Sequence, residues 1–283
     1  VSFDGFICDN CGLLQEGPGV IVGVDFTNRV IFDGGVVIDA SLPECGTFVG
    51  GRILLKDVRG DEVFFNELSA GSRVIDAVFA LVRIDVDTVH ILRTLMSDGV
   101  SVGRGGGVEI VNSVVTGRDE ALIVCEDCAR ILVVATNIIA DNSAAAIRTL
   151  NAPAAEVVVL GVNARVRTTG TFIDADAAGS GQTVAMAGCL IDAFGGDVLR
   201  QGGASTIAAT GTSFATCGGA VCITGDLGDL TFDQTGFRTI EAAEVATFAY
   251  AGAFVDQFSP SFIADIDGEC LFGREAIRSG PDQ

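Results

Sequence analysis

The sequence predicts an all-β chain, a right-handed, single-stranded parallel β-helix in which each rung of the solenoid takes about 24 residues. Three observations carry this. A composite β-rich pattern recurs along the chain. Heavy β-branching and 37 glycines oppose helix. The apolar residues alternate instead of recurring at i, i+3 and i+4.

The elements follow in order. Residues 1–20, with VSFDGFICDNCGLLQEGPG, read as an irregular first rung or N-terminal cap. Residues 21–250 read as the β-helix, opening with weak copies of the pattern at Arg52 (RILLKDVRG) and Leu81 (LVRIDVDTV). Clear copies begin at Val108 (VEIVNSVVTG), Ile131 (ILVVATNIIAD), Val157 (VVVLGVNARV), Thr183 (TVAMAGCLID), Thr206 (TIAATGTSFA) and Leu230 (LTFDQTGFRT), in steps of 23, 26, 26, 23 and 24 residues. After each comes a second strand-like piece, such as EALIVCED or AAIRTL, so one unit holds two or three strands of three to five residues. Gly, Asn, Asp and Ser mark the corners, where tight turns or positive φ are needed. A leucine-rich repeat would need a fixed leucine and asparagine lattice, and a β-sandwich would not repeat one composite pattern at this spacing. Successive rungs stack about 4.8 Å apart, and none buries its apolar face alone. Residues 251–283 read as a C-terminal cap or interaction tail, because end rungs must hide unpaired edges. The eighteen phenylalanines, many in FDGF, VFFNEL and FVDQFSPSF, are expected at caps and interfaces or in the core.

Charge narrows the function. Acidic residues number 37 against 17 basic, for a net charge of −20. Lys56 is the single lysine and the remaining sixteen basic residues are scattered arginines. Such a chain cannot release counterions from phosphates, so nucleic acid is not an expected partner. The near absence of lysine beside abundant Asp, Ala, Val and Gly resembles proteins of salt-loving organisms. In molar salt the Debye length is about 3 Å, and crowded carboxylates repel little. Hydrophobic residues make up 49% of the chain, and the mean hydropathy is +0.50. Yet no run approaches the eighteen or so apolar residues of a membrane helix. The start at Val1, without a signal-peptide pattern, is expected of a processed or truncated chain.

Nine cysteines raise the question of metal or redox chemistry. Cys8–Cys11 and Cys125–Cys128 both have Cys-x-x-Cys spacing, and two such pairs can form a Cys₄ zinc site. But CEDC lies between the strand-like ALIV and ARILVV, and the other five stand singly among small and apolar residues. Buried free thiols are the favoured expectation, ahead of disulfides and of metal. With Cys8 and Cys125 four or five rungs apart, the pairs lie on the order of 20 Å from each other and cannot share an ion.

Units such as ILVVATNIIADNSAAAIRTLNAP and TIAATGTSFATCGGAVCITGD, leading into GTFIDAD-like pieces, resemble the β-helical tail-spike, fibre and capsid-decoration proteins of tailed viruses. The resemblance spans residues 20 to 250 and is architectural; similar coils occur in pectate lyases. It implies three parallel β-helices side by side as a homotrimer. Other partners would be capsid or tail proteins and a host surface glycoprotein or glycan. With the acidic composition, it implies a virion protein of a virus infecting halophilic archaea, with a role in assembly or host attachment. Rungs with almost no charge on either face, such as TIAATGTSFATCGGAVCITG, independently call for a subunit interface.

An enzyme is the alternative, since polysaccharide-cleaving β-helices work with paired carboxylates. Asp85 with Asp87 and Asp174 with Asp176 stand at i and i+2, on one strand face. Glu126 and Asp127 are adjacent in CEDC. Among 37 acidic residues such pairs arise by chance on a solvated face. There is no tryptophan and one tyrosine, Tyr250, so platforms for stacking sugars are nearly absent. The one histidine, His90, has no motif partner and reads as structural. VGRGGGVEI precedes a strand-like segment instead of a helix and reads as a corner, not a phosphate cradle. No catalytic, cofactor-binding or metal-binding residue is assigned.

Overall fold

The structure is a computed structural model. It describes the backbone except at residues 1, 5–6, 9–13, 16–18, 27–29, 67–70, 86–87, 104, 119–120, 142, 152–154, 167–169, 176–181, 194–198, 202–205, 218–222, 226–228, 234–235, 241–246, 259–265, 273–274 and 280–283. Side chains are described chiefly within 19–192 and 206–212.

The described elements are all strands. They pair in parallel into three stacks, A, B and C, with each strand bonded to its counterparts one coil before and one coil after. Stack A contains Ser72–Ile75, Thr88–Leu92, Gly107–Val111, Arg130–Val134, Glu156–Leu160, Thr183–Ala187 and Thr206–Thr210 in succession. Stack B contains Val114–Gly117, Asn137–Ala140, Asn163–Val166 and Leu190–Ala193. Stack C contains Ala121–Glu126, Ala145–Leu150, Thr171–Ala175 and Leu199–Gln201. In the earlier chain single strands run through corners. Ser41–Lys56 serves all three stacks, and Val78–Ile84 serves B and C. Parallel strands in stacked sheets are compatible with a β-helix or solenoid. Parallel pairing extends from Ser2–Asp4 to Ile266–Phe272, past both ends of the 21–250 span. Glu275–Ser279 then pairs antiparallel with Ile266–Phe272. No helix among the described residues is long and apolar enough to cross a membrane.

Register corrects the expected period. In stack A, Val108, Ile131, Val157, Val184, Ile207 and Leu230 are equivalent, so the copies placed at Thr183 and Thr206 shift by one residue. Before Val108 the coils are shorter. Val36, Leu54, Arg73, His90 and Glu109 are equivalent, in steps of 18, 19, 17 and 19 residues. Leu81 belongs to stack C rather than stack A. The reason is the B-to-C corner. Early coils cross it within one strand, whereas later coils end one strand at Gly117 and start another at Ala121.

The A-to-B corner does not change length. It always holds two residues, and the first has positive φ. Gly23, Asp39, Asp57, Asp76, Arg93, Asn112, Ala135, Gly161, Gly188 and Gly211 all lie between +47° and +65°. From Gly23 to Gly188 this turns each amide toward the next coil, where it donates to the last carbonyl of the A strand. Asp57 N–H bonds Ile75 O (3.1 Å) and Gly161 N–H bonds Ala187 O (2.8 Å). The second corner residue turns inward. It is Val58 or Ala77 early, and Thr94, Ser113 and Thr136 later, all buried. The Ser113 hydroxyl accepts from Thr94 N–H (3.1 Å) and donates to Val111 O (2.9 Å). Thr136 repeats this one coil on, so the buried hydroxyls are satisfied.

Alternation then sets the core. At each A strand two positions face inward, as with Val108 and Ile110 or Val157 and Val159, all buried. In stack C, Phe32, Phe48 and Phe65 occupy one inward column and stack with ring centroids 5.1 and 5.3 Å apart. Phe26 meets Phe32 edge-on at 5.9 Å. These phenylalanines are core residues; those of FDGF and FVDQFSPSF lie outside the described side chains.

Candidate functional site

The alternation that fills the core also fixes what faces solvent, and on stack A that surface is apolar. The middle outward column runs Val20, Val36, Leu54, Arg73, His90, Glu109, then Leu132, Val158, Ala185 and Ala208. The column beside it runs Val22, Ile38, Lys56, Ile75, Leu92, Val111, then Val134, Leu160 and Ala187. These side chains are partly or fully exposed, with Val20 at 43% and Leu160 at 37%. Stack C looks different outside. Glu62 bonds Arg83 at 2.6 Å there, with Asp85 and Glu126 nearby.

The polar break in the stack A face is a ladder, Arg73, His90 and Glu109, in register on successive strands. The carboxylate Oε2 of Glu109 accepts from His90 Nδ1 at 2.6 Å, both side chains being about one-third exposed or less. The three line a shallow depression of about 270 Å³ with Ile75, Leu92 and Val111. His90 therefore has a partner, which its sequence surroundings did not show. Glu109 lies 19 residues away, a step that a period of about 24 does not reach. The contact orients the imidazole. Among the described residues, no cysteine, serine or threonine lines the depression.

Of the three carboxylate pairs, Glu126 and Asp127 separate. Glu126 is exposed at the end of its C strand, while Asp127 turns the next corner at φ +56°. The peptide of Asp127 is fixed on both sides, its N–H to Leu150 O (3.0 Å) and its carbonyl to Gly105 N–H (2.5 Å). That bond, with Gly106 N–H to Gly103 O (2.9 Å), makes GRGGG a corner between coils. Asp174 is buried and pairs with Arg148 one coil away (3.1 Å), a structural use of a carboxylate. Asp87 and Asp176 lie outside the described residues. A new pairing takes their place. Asp85 and Glu126 flank Gly103, one coil to each side, in a groove of about 220 Å³ with Arg83 and Ser101. A larger open groove of about 590 Å³ over stack B mixes Val114, Ile139 and Leu190 with Asn137, Asn163, Arg165 and Asp192, and Val78, Leu95 and Leu190 of this stack are also exposed.

The cysteines divide. Cys125 and Cys128 form a disulfide inside the coil, Cα to Cα 5.3 Å, correcting the expectation of free thiols there. The corner at Asp127 is the cause, since it folds a strand-like sequence back on itself. Cys189 is a buried free thiol at the inward corner position. Burial pushes its pKa up, and its Sγ lies 3.4 Å from Val159 O and Ala187 O. Cys8 sits in stack B, and Cys11 is outside the described residues. The short early coils put six coils, about 29 Å, between Cys8 and Cys125, more than the expected four or five. Among the described residues no group of three metal-ligating side chains converges.

Comparison of the chain with protein-family models, curated proteins and solved structures finds no match.

Proposed function

We propose that the chain is a virion structural protein, a tail spike, fibre or capsid decoration of a virus infecting halophilic archaea. In this proposal it is a right-handed, single-stranded parallel β-helix assembled as a side-by-side homotrimer, with a role in assembly or host attachment. The observation that carries the proposal is the apolar outward face of stack A, which asks for protein cover along many coils. The parallel three-stack pairing and the acidic composition support it. Antibody raised against the protein is expected to decorate particles from a hypersaline culture carrying its gene. Labelling of cell debris alone would contradict the virion role.

The acidic surface gives a second check. With net charge −20, repulsion reaches about 30 Å at 0.01 M salt and about 3 Å at 1 M. Thermal stability and assembly are expected to rise steeply from about 0.1 to 1 M salt on that scale. A melting temperature flat across the range would remove the halophilic source.

The groove holding Asp85, Glu126 and Arg83 favours one other role, a surface polysaccharide lyase or glycoside hydrolase. Incubation with host-surface glycan separates the two. Release of shortened glycan, abolished in Glu126→Gln, would establish the enzyme.

A further inference from the structure

We infer that the outward face of stack A is the surface on which copies of this chain pack side by side. This rests on the self-associating role proposed above and deepens it by naming the contact.

Charge selects the occupant. A second copy also carries −20, so two copies repel wherever acidic surfaces meet. The A-to-B corner remains acidic on balance, with Asp39, Asp57 and Asp76 at successive coils beside Asp25 and one arginine, Arg59, in a groove, although Asp57 pairs with Lys56 (3.8 Å) and Asp76 with Arg93 (2.6 Å). The two outward columns of stack A differ. Their ionised residues are Lys56 and Arg73 against Glu109, a net of one positive charge with His90 neutral. At the strand starts Arg130 is offset by Glu156 at 3.1 Å. An identical acidic chain can approach this face without like-charge repulsion, and the one polar cluster within it is already bonded through His90 and Glu109.

Area selects the arrangement. Where its side chains are described, stack A runs through ten strands from Gly19–Val22 to Thr206–Thr210. At about 4.8 Å between strands and about 3.3 Å per residue, the face measures roughly 43 by 16 Å, about 700 Å² before pleating. A stable interface takes about 800 Å² from each partner. The described face approaches that figure only when most of its length is covered, so copies lie alongside one another rather than end to end.

The test is mass in molar salt, by sedimentation, for the parent protein and three substitutions. Leu132→Asp and Val158→Asp put charge on the stack A face without touching an inward position. Val124→Asp does the same on the outward side of stack C. The parent is expected to sediment as several copies. The two stack A variants should fall to the monomer mass with unchanged far-UV circular dichroism, while Val124→Asp stays assembled. Stack A variants that assemble as the parent does, or equal dissociation by Val124→Asp, would overturn the face and leave the structural role standing. A monomeric parent would overturn both. Should the Asp variants fail to fold, Leu160→Cys provides the readout. Its added thiol is expected to resist maleimide in the concentrated assembly and to react on dilution. Equal labelling at both concentrations would also overturn the inference.

Discussion

The coils before Gly103 and those after Gly107 solve one geometric problem with different residues. Both turn from stack A to stack B in two residues, the first with positive φ and its amide bonded to the next coil. The early coils place Gly23 and then Asp39, Asp57, Asp76, Arg93 and, at the junction, Asn112 there; the later coils place Ala135 and then Gly161, Gly188 and Gly211. The early coils are short and filled by the Phe32–Phe48–Phe65 stack. The later coils are longer and are filled by Val, Ile and Ala, the Cys125–Cys128 bridge and hydroxyl ladders. Backbone geometry at the A-to-B corner is thus held while side chains and coil length vary. Length is absorbed first at the B-to-C corner and, in the later coils, also between stacks C and A.

The largest expected effect separates the two fillings. Phe48→Ala removes the middle ring of the stack, which is fully buried. A cost of about 3–5 kcal/mol is expected, against about 1 kcal/mol for a Val133→Ala-sized loss in a later coil, by denaturant unfolding at constant molar salt. Equal costs would mean that the aromatic stack does not define the early half.

The corner gives a smaller, signed comparison. Left-handed φ costs a non-glycine residue about 1–2 kcal/mol, while glycine loses more backbone entropy on folding. Gly161→Ala meets nothing within 4 Å, so its expected loss of about 1 kcal/mol comes from φ alone. Ala135→Gly, at φ +47°, is expected to gain up to about 1 kcal/mol. The same sign at both positions would break the corner argument.

The alternation, the parallel pairing and the later period were legible because A strands such as ILVV and VVVL repeat at similar spacing. The early coils were not. Their steps fall to 16–19 residues, and after Gly23 Asp or Arg replaces the expected glycine at the corner. For the same reason His90 seemed isolated, since only register shows Glu109 beside it. The pairing of Asp85 with Glu126 also required register, because a neighbour two coils away has no fixed sequence separation. The Cys125–Cys128 bridge was hidden by strand-like flanks, and the signal for it was the Glu-Asp pair that marks a corner.

The smallest effect lies at the exposed early corner. Arg93 donates to both carboxylate oxygens of Asp76, at 2.6 and 2.7 Å, which holds the Asp76 pKa below its ordinary value. A lowered folded pKa contributes stability above the unfolded pKa and loses it as pH falls through the folded one. Arg93→Ala should therefore melt slightly lower than the parent at neutral pH, with the difference shrinking as Asp76 protonates in acid. A difference that grows in acid would contradict the pairing.

The measurement that bears most directly on the account is an electron cryomicroscopy reconstruction of the assembled protein in molar salt. The account predicts strands about 4.8 Å apart in three stacks per chain. The stack A faces of neighbouring chains would be turned toward each other, with the Asp39–Asp57–Asp76 corner in solvent. Stack A faces open to solvent in a stable assembly held by another surface would contradict it.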